Sequence, residues 1–146
     1  NSMAMVNLKI EDREFGEETI NRIRKVIEAY DIKNLHPNTA LQFNYQEAIF
    51  YSVYGDRVKA LKSLEEFVNG SIKFIEEEFF LHGDDYFNRI EEWFEDFVLK
   101  TEAPRNGKVV MESLVPALEN PALALLFDEK EYKELKMKIE RRKEGK

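Results

Sequence analysis

Apolar residues recur at intervals of three and four along almost the whole chain, and that rhythm restricts the fold more than any other feature. From about residue 17, Ile20, Ile23, Ile27 and Tyr30 fall on one helical face while Arg22, Arg24, Lys25 and Glu28 fill the other. His36-Pro37-Asn38-Thr39 interrupts the pattern, because the residue before proline avoids the helical region; Asn38 or Thr39 can then cap a helix that reaches residue 54. Gly55-Asp56 supplies a tight turn into a helix over 57–68 that carries Val58, Leu61, Leu64, Phe67 and Val68. Asn69-Gly70-Ser71 is expected to stop that helix and cap the next, with Phe74, Ile75 and Phe79 on its apolar side. A turn at His82-Gly83 follows, with Asp84 or Asp85 placed where a helix N-terminus favours negative charge.

Beyond that turn, Tyr86, Ile90, Trp93, Phe94 and Phe97 form an aromatic stripe, opposite Asp85, Arg89, Glu92 and Asp96. Residues 99–108 read as a loop. The next helix starts near Gly107 and reaches about Asn120, with Pro116 as a kink or break. Asn120-Pro121 caps a short apolar helix over 122–127, and Asp128 caps the last, which turns Tyr132, Leu135 and Ile139 inward and ends basic over 136–143. No run shows the strict alternation of a half-buried strand. The predicted class is all-α, with about seven helices.

A chain of 146 residues, 43% apolar and 12% aromatic, has the length and the material for one hydrophobic core, so residues 1–146 are expected to form a single domain. Without cysteine there is no disulfide framework, no zinc-thiolate site and no thiol nucleophile, which fits a reducing compartment. No apolar run approaches the roughly 20 residues of a membrane span, so the expectation is a cytoplasmic protein without a membrane partner. A net charge of -7 opposes duplex DNA, which demands Lys and Arg to displace its counterions. Asn1-Ser2 ahead of Met3 reads as an expression-vector remnant, which leaves residues 1–5 partly foreign and the natural polypeptide free to begin earlier.

The chemistry-bearing residues favour structure over catalysis. His82, Asp84 and Asp85 could ligate a metal only if the turn folded round an ion, and no second histidine lies one helical turn away. A capped turn explains them instead: the acids stabilise the helix N-terminus and the imidazole fills a turn contact. Glu76-Glu77-Glu78 and Glu91, Glu92, Glu95 and Asp96 read as solvated faces, since nothing desolvates one of them to raise its pKa. There is no glycine-rich phosphate loop and no serine elbow. The chain is expected to be non-catalytic and to need neither metal nor cofactor. The competing expectation is a small helical metal-dependent hydrolase that uses the acidic cluster around His82.

The segment over 41–72, LQFNYQEAIFYSVYGDRVKALKSLEEFVNGSI, resembles one tetratricopeptide repeat. Ala48 stands at the small position of its first helix, Tyr51 at the aromatic position, Gly55-Asp56 at the turn, Ala60 at the small position of the second helix, and Leu64 at the large apolar position after it. Glu47 occupies a usually apolar place, Phe67 a usually small one and Ile72 that of the closing proline. On a wider scale, the order YSVYGDRVKALKSLEEFV, LHGDDYFNRIEEWF and APRNGKVVMESLVPALENPALALL, with the motifs His82-Gly83-Asp84, Ala103-Pro104-Arg105 and Asn120-Pro121-Ala122, resembles the C-terminal part of xenobiotic-response-element-type helix-turn-helix transcriptional regulators of Gram-positive bacteria.

That resemblance covers about residues 35–139 and implies a tetratricopeptide-like α-solenoid that senses a peptide, a small-molecule effector or a second copy in a homodimer. It further implies that DNA is read only by an N-terminal helix-turn-helix not present in this sequence. In the usual repeat geometry Gln42, Tyr45, Ile49 and Ser52 point into the concave groove. Packing against a neighbouring helix is the other reading of those four.

Overall fold

The computed structural model describes residues 12–77 and 107–145. The readings at residues 1–11, at His82-Gly83-Asp84, along the stripe from Tyr86 to Phe97 and at Ala103-Pro104-Arg105 lie outside the described residues. The order of elements is α1 (Arg13–Ala29), α2 (Ile32–Leu35), α3 (Pro37–Val53), α4 (Arg57–Glu76), α5 (Gly107–Leu118), a 3-10 helix (Pro121–Leu126) and α6 (Lys130–Glu144), with no strand among the described residues. The all-α class holds.

Helix α1 begins at Arg13, ahead of the expected start, because the Asp12 carboxylate accepts the Phe15 N–H at 3.0 Å and so satisfies a donor that the first helical turn leaves open. Asp31, in the left-handed region at φ 48°, turns the chain into the single turn of α2, and its carboxylate takes the Asn34 side-chain N–H. The cap of α3 is His36, not Asn38 or Thr39. Pro37 fills the first helical position, where no N–H is needed, and the Thr39 hydroxyl pairs with His36 Nδ1 at 2.7 Å.

Helix α3 is buried on nearly every side, through Ala40, Leu41, Phe43, Glu47, Ala48, Phe50, Tyr51 and Ser52. Only a narrow stripe through Thr39, Gln42 and Val53 stays exposed, as expected for a helix near the middle of a protein. Its exit is closed as the sequence predicts: Gly55 adopts φ 81°, its N–H reaches the Ser52 carbonyl at 3.1 Å, and the Asp56 N–H reaches the Tyr51 carbonyl at 2.9 Å. The Asp56 side chain then caps α4 by accepting the Lys59 N–H at 3.1 Å. With so short a connection, α3 and α4 fold back on each other, and the fully buried Ala48 and Ala60 are the small residues of the pair.

The expected stop at Asn69-Gly70-Ser71 does not occur. Helix α4 runs unbroken to Glu76, with Ser71 and Ile72 buried. Gly70 serves a tertiary contact: a Cβ on it would stand 2.5 Å from Leu41 Cδ2, so the missing side chain lets α3 approach. Nor does Pro116 break α5, which continues to Leu118; the proline lies in the last turn, where the helix has little left to lose. Asn120 caps the next element as expected, its side chain accepting the Ala122 N–H at 3.0 Å, but the element is a 3-10 helix. Asp128 is not the cap of α6; that position is held by Glu129, without a side-chain bond to the helix.

One hydrophobic cluster joins these elements, from Ile20 of α1 through Phe50, Leu64 and Val68 to Leu114 and Leu118 of α5, Leu123 and Leu126 of the 3-10 helix, and Tyr132 and Ile139 of α6. The buried Tyr132 hydroxyl donates to the Leu118 carbonyl at 2.8 Å, which ties α6 to the end of α5.

Candidate functional site

Where α3, α4 and α5 meet, a cleft of about 200 Å³ opens. Helix α3 contributes Asn38, Gln42 and Tyr45, α4 contributes Phe67 and Phe74, and α5 contributes Val110 and Ser113, with Leu41, Ser71 and Leu114 completing the lining. The spacing of Asn38 and Gln42 places their carboxamides one helical turn apart on the same face. None of the described lining residues carries a charge.

Tyr45 is held firmly. Its hydroxyl donates to the Ala117 carbonyl at 2.9 Å and accepts from Asn120 Nδ2 at 3.1 Å, while its ring packs on Phe67 with centroids 5.0 Å apart. Phe67, the large residue at a usually small repeat position, is the partner of that ring. The hydroxyl is occupied by α5 and by the cap of the 3-10 helix, so the aromatic face rather than the phenol is what the cleft offers. Ser113, at the opposite wall, donates to the Val110 carbonyl at 2.7 Å and keeps its lone pairs as acceptors. Neither Asn38 nor Gln42 is tied down by a hydrogen bond among the described residues.

Of the four residues expected on one groove, the structure therefore places Gln42 and Tyr45 on this cleft and the other two elsewhere. Ile49 packs against the core. Ser52 is 4% exposed and its hydroxyl has no hydrogen-bond partner among the described residues, so it faces the interior and no groove. Asn38, expected as a cap, and Phe67 and Phe74, expected on apolar helix faces, were not expected at a groove. Asn38 precedes Gln42 by one helical turn, which was a usable signal; the two phenylalanines belong to another helix, and periodicity within one segment says nothing about its neighbour.

Glu47, at the usually apolar repeat position, is 3% exposed and forms an ion pair with Arg24 of α1. Beside it, burial pushes the Tyr51 phenol up, against the opposing pull of Arg24, and the Lys59 ammonium lies 5.0 Å from the Tyr51 ring centroid. On the surface, the hydrogen bond from Arg22 lowers the Glu18 carboxyl and that to Glu119 raises Lys136. These are structural pairs, and none borders the cleft.

A second and larger concavity, about 460 Å³, separates α4 from α6. Val58, Leu61 and Leu135 meet there with Lys62, Glu65, Glu131 and Glu134, so charges of both signs face it, and Lys138 already donates to Asn69 Oδ1 at 2.6 Å. No group of three or more metal-ligating side chains occurs among the described residues, and no helix among them is long and apolar enough to cross a membrane. Compared with known protein families, curated proteins and solved structures, the chain matches none.

Proposed function

We propose that this chain is the non-catalytic sensing domain of a bacterial transcriptional regulator, in which binding at the α3–α4–α5 cleft is passed to a helix-turn-helix encoded upstream. The observation that carries the reading is the cleft itself: an aromatic-walled recess with two carboxamides uncommitted among the described residues, and with no acid or base in its described lining. The α3–α4 hairpin supports a tetratricopeptide-like description, since Ala48 and Ala60 are the fully buried small residues and Gly55 makes the turn. The fold-level analogy adds the regulatory context and nothing about the ligand.

The test combines the coding sequence upstream of Met3 with a gel-shift assay. The expected result is a helix-turn-helix in that sequence, DNA binding by the longer protein, and none by residues 1–146 at physiological salt, given their net charge of -7. A gene that begins at Met3, or sequence-selective binding by residues 1–146 alone, overturns the reading.

A further inference from the structure

The geometry points to a specific class of ligand: the α3–α4–α5 cleft takes an uncharged group that presents one large apolar side chain next to a secondary amide. This inference rests on the reading of the chain as a binding module.

Size is the first argument. A cleft of about 200 Å³ is smaller than the roughly 300–1,000 Å³ of sites that enclose a drug-sized ligand or cofactor, and suits a single bulky side chain. Chemistry is the second. Tyr45, Phe67 and Phe74 supply ring surface, which favours an aromatic or branched aliphatic group. No described lining residue carries a charge that would compensate a buried carboxylate or ammonium, and an uncompensated charge is excluded by its desolvation cost.

The third argument is the rim. Asn38 and Gln42 each offer a donor and an acceptor, and both remain uncommitted among the described residues. Side-chain amides about 6 Å apart along a helix, one turn of rise, match the alternating N–H and C=O of an amide-bearing ligand better than they match a lone hydroxyl or a phosphate. A peptide backbone and a free small-molecule amide share that chemistry.

Titration calorimetry on the 146-residue protein with N-acetyl-phenylalaninamide, and with N-acetyl-aspartate amide as the charged control, tests the assignment. Saturable binding of the phenylalanine amide is expected, with at least tenfold weaker binding of the aspartate compound. The Asn38→Ala/Gln42→Ala double variant should lose at least fivefold in affinity while melting within a few degrees of the parent. A capped hexapeptide containing one phenylalanine separates the sources: tenfold tighter binding than the single amide identifies a peptide, and equal binding a small amide.

No saturable binding of the neutral amide, or binding that ignores the carboxamide substitutions, overturns the inference. So does a large fall in melting temperature for the double variant without any binding, which would mean that the chain itself fills the cleft. Because DNA binding by the longer protein does not depend on these amides, those outcomes remove the cleft as the sensing site and leave the gel-shift test of the attached helix-turn-helix to be read separately.

Discussion

Gly16 and Gly70 invite the same one-carbon change with different outcomes. A Cβ on Gly16 would collide with the Phe50 ring, lying 2.6 Å from Cζ and closer still to Cε2. Phe50 is 1% exposed and is bracketed by Tyr51 and Tyr54, with ring centroids at 5.4 and 4.8 Å, so it has nowhere to go. Alanine gains up to about 1 kcal/mol of helix propensity over glycine, and less in the first turn where Gly16 sits. Overpacking a filled core costs about 1–3 kcal/mol. The net loss for Gly16→Ala is therefore about 1–2 kcal/mol, which lowers the melting temperature by roughly 2–8 °C at about 2–4 °C per kcal/mol for a chain of this size.

At Gly70 the clash is with Leu41 Cδ2, the tip of a rotatable side chain, and the gain and the cost nearly cancel; Gly70→Ala should stay within about 1 kcal/mol of the parent. Circular-dichroism melts and urea titrations measure both. Phe50→Leu in the Gly16→Ala background should cost less than the two changes summed, with a coupling of at least about 0.5 kcal/mol. A Gly16→Ala protein that melts at or above the parent temperature refutes the docking of α1 on Phe50.

Arg24→Met strands the Glu47 carboxylate and should cost about 1–3 kcal/mol, the half-exposed arginine side admitting some water, whereas Arg24→Met/Glu47→Leu should recover most of that loss in urea titrations. Gly55→Ala forces a Cβ into the left-handed region at φ 81° and should cost roughly 1–2 kcal/mol by the same assay. Tyr45→Phe removes the bonds to Ala117 and Asn120 and should lower stability by about 0.5–1.5 kcal/mol. Burial raises the Tyr132 phenol above its ordinary value of 10.0; the stability this contributes is complete below pH 10 and is lost as the pH climbs through the folded-state value. Urea midpoints taken from pH 8 upward should accordingly fall above pH 10, and less steeply in Tyr132→Phe.

What the sequence made legible was what is decided locally. Gly55-Asp56 and Asn120-Pro121 carry their turn chemistry within a few residues, and both form where expected. Asn69-Gly70-Ser71 carries similar local signals, yet its glycine answers to Leu41 on another helix, and a continuous α4 is the result. Glu47 stood out against the repeat pattern, but its explanation is Arg24, a residue of a different element. The candidate site divides in the same way. Gln42 and Tyr45 were reachable from the repeat pattern; Phe67, Phe74 and Ser113 join them only through tertiary packing, and Ser52 was misplaced because neighbouring elements bury that end of α3.

The contrast between α3 and α1 also sets an order of opening. Helix α3 buries eight of its 17 residues, so its amides should exchange with solvent only on large-scale opening. Helix α1 buries only Gly16 and Ile20 and leaves Phe15 and Val26 about half exposed, so of the longer helices at this end of the described chain it has far less to lose by detaching than α3. Deuterium should therefore enter α1 before α3. The difference between the two exchange free energies measures how far the segment nearest the N-terminus is free to move while the rest stays folded.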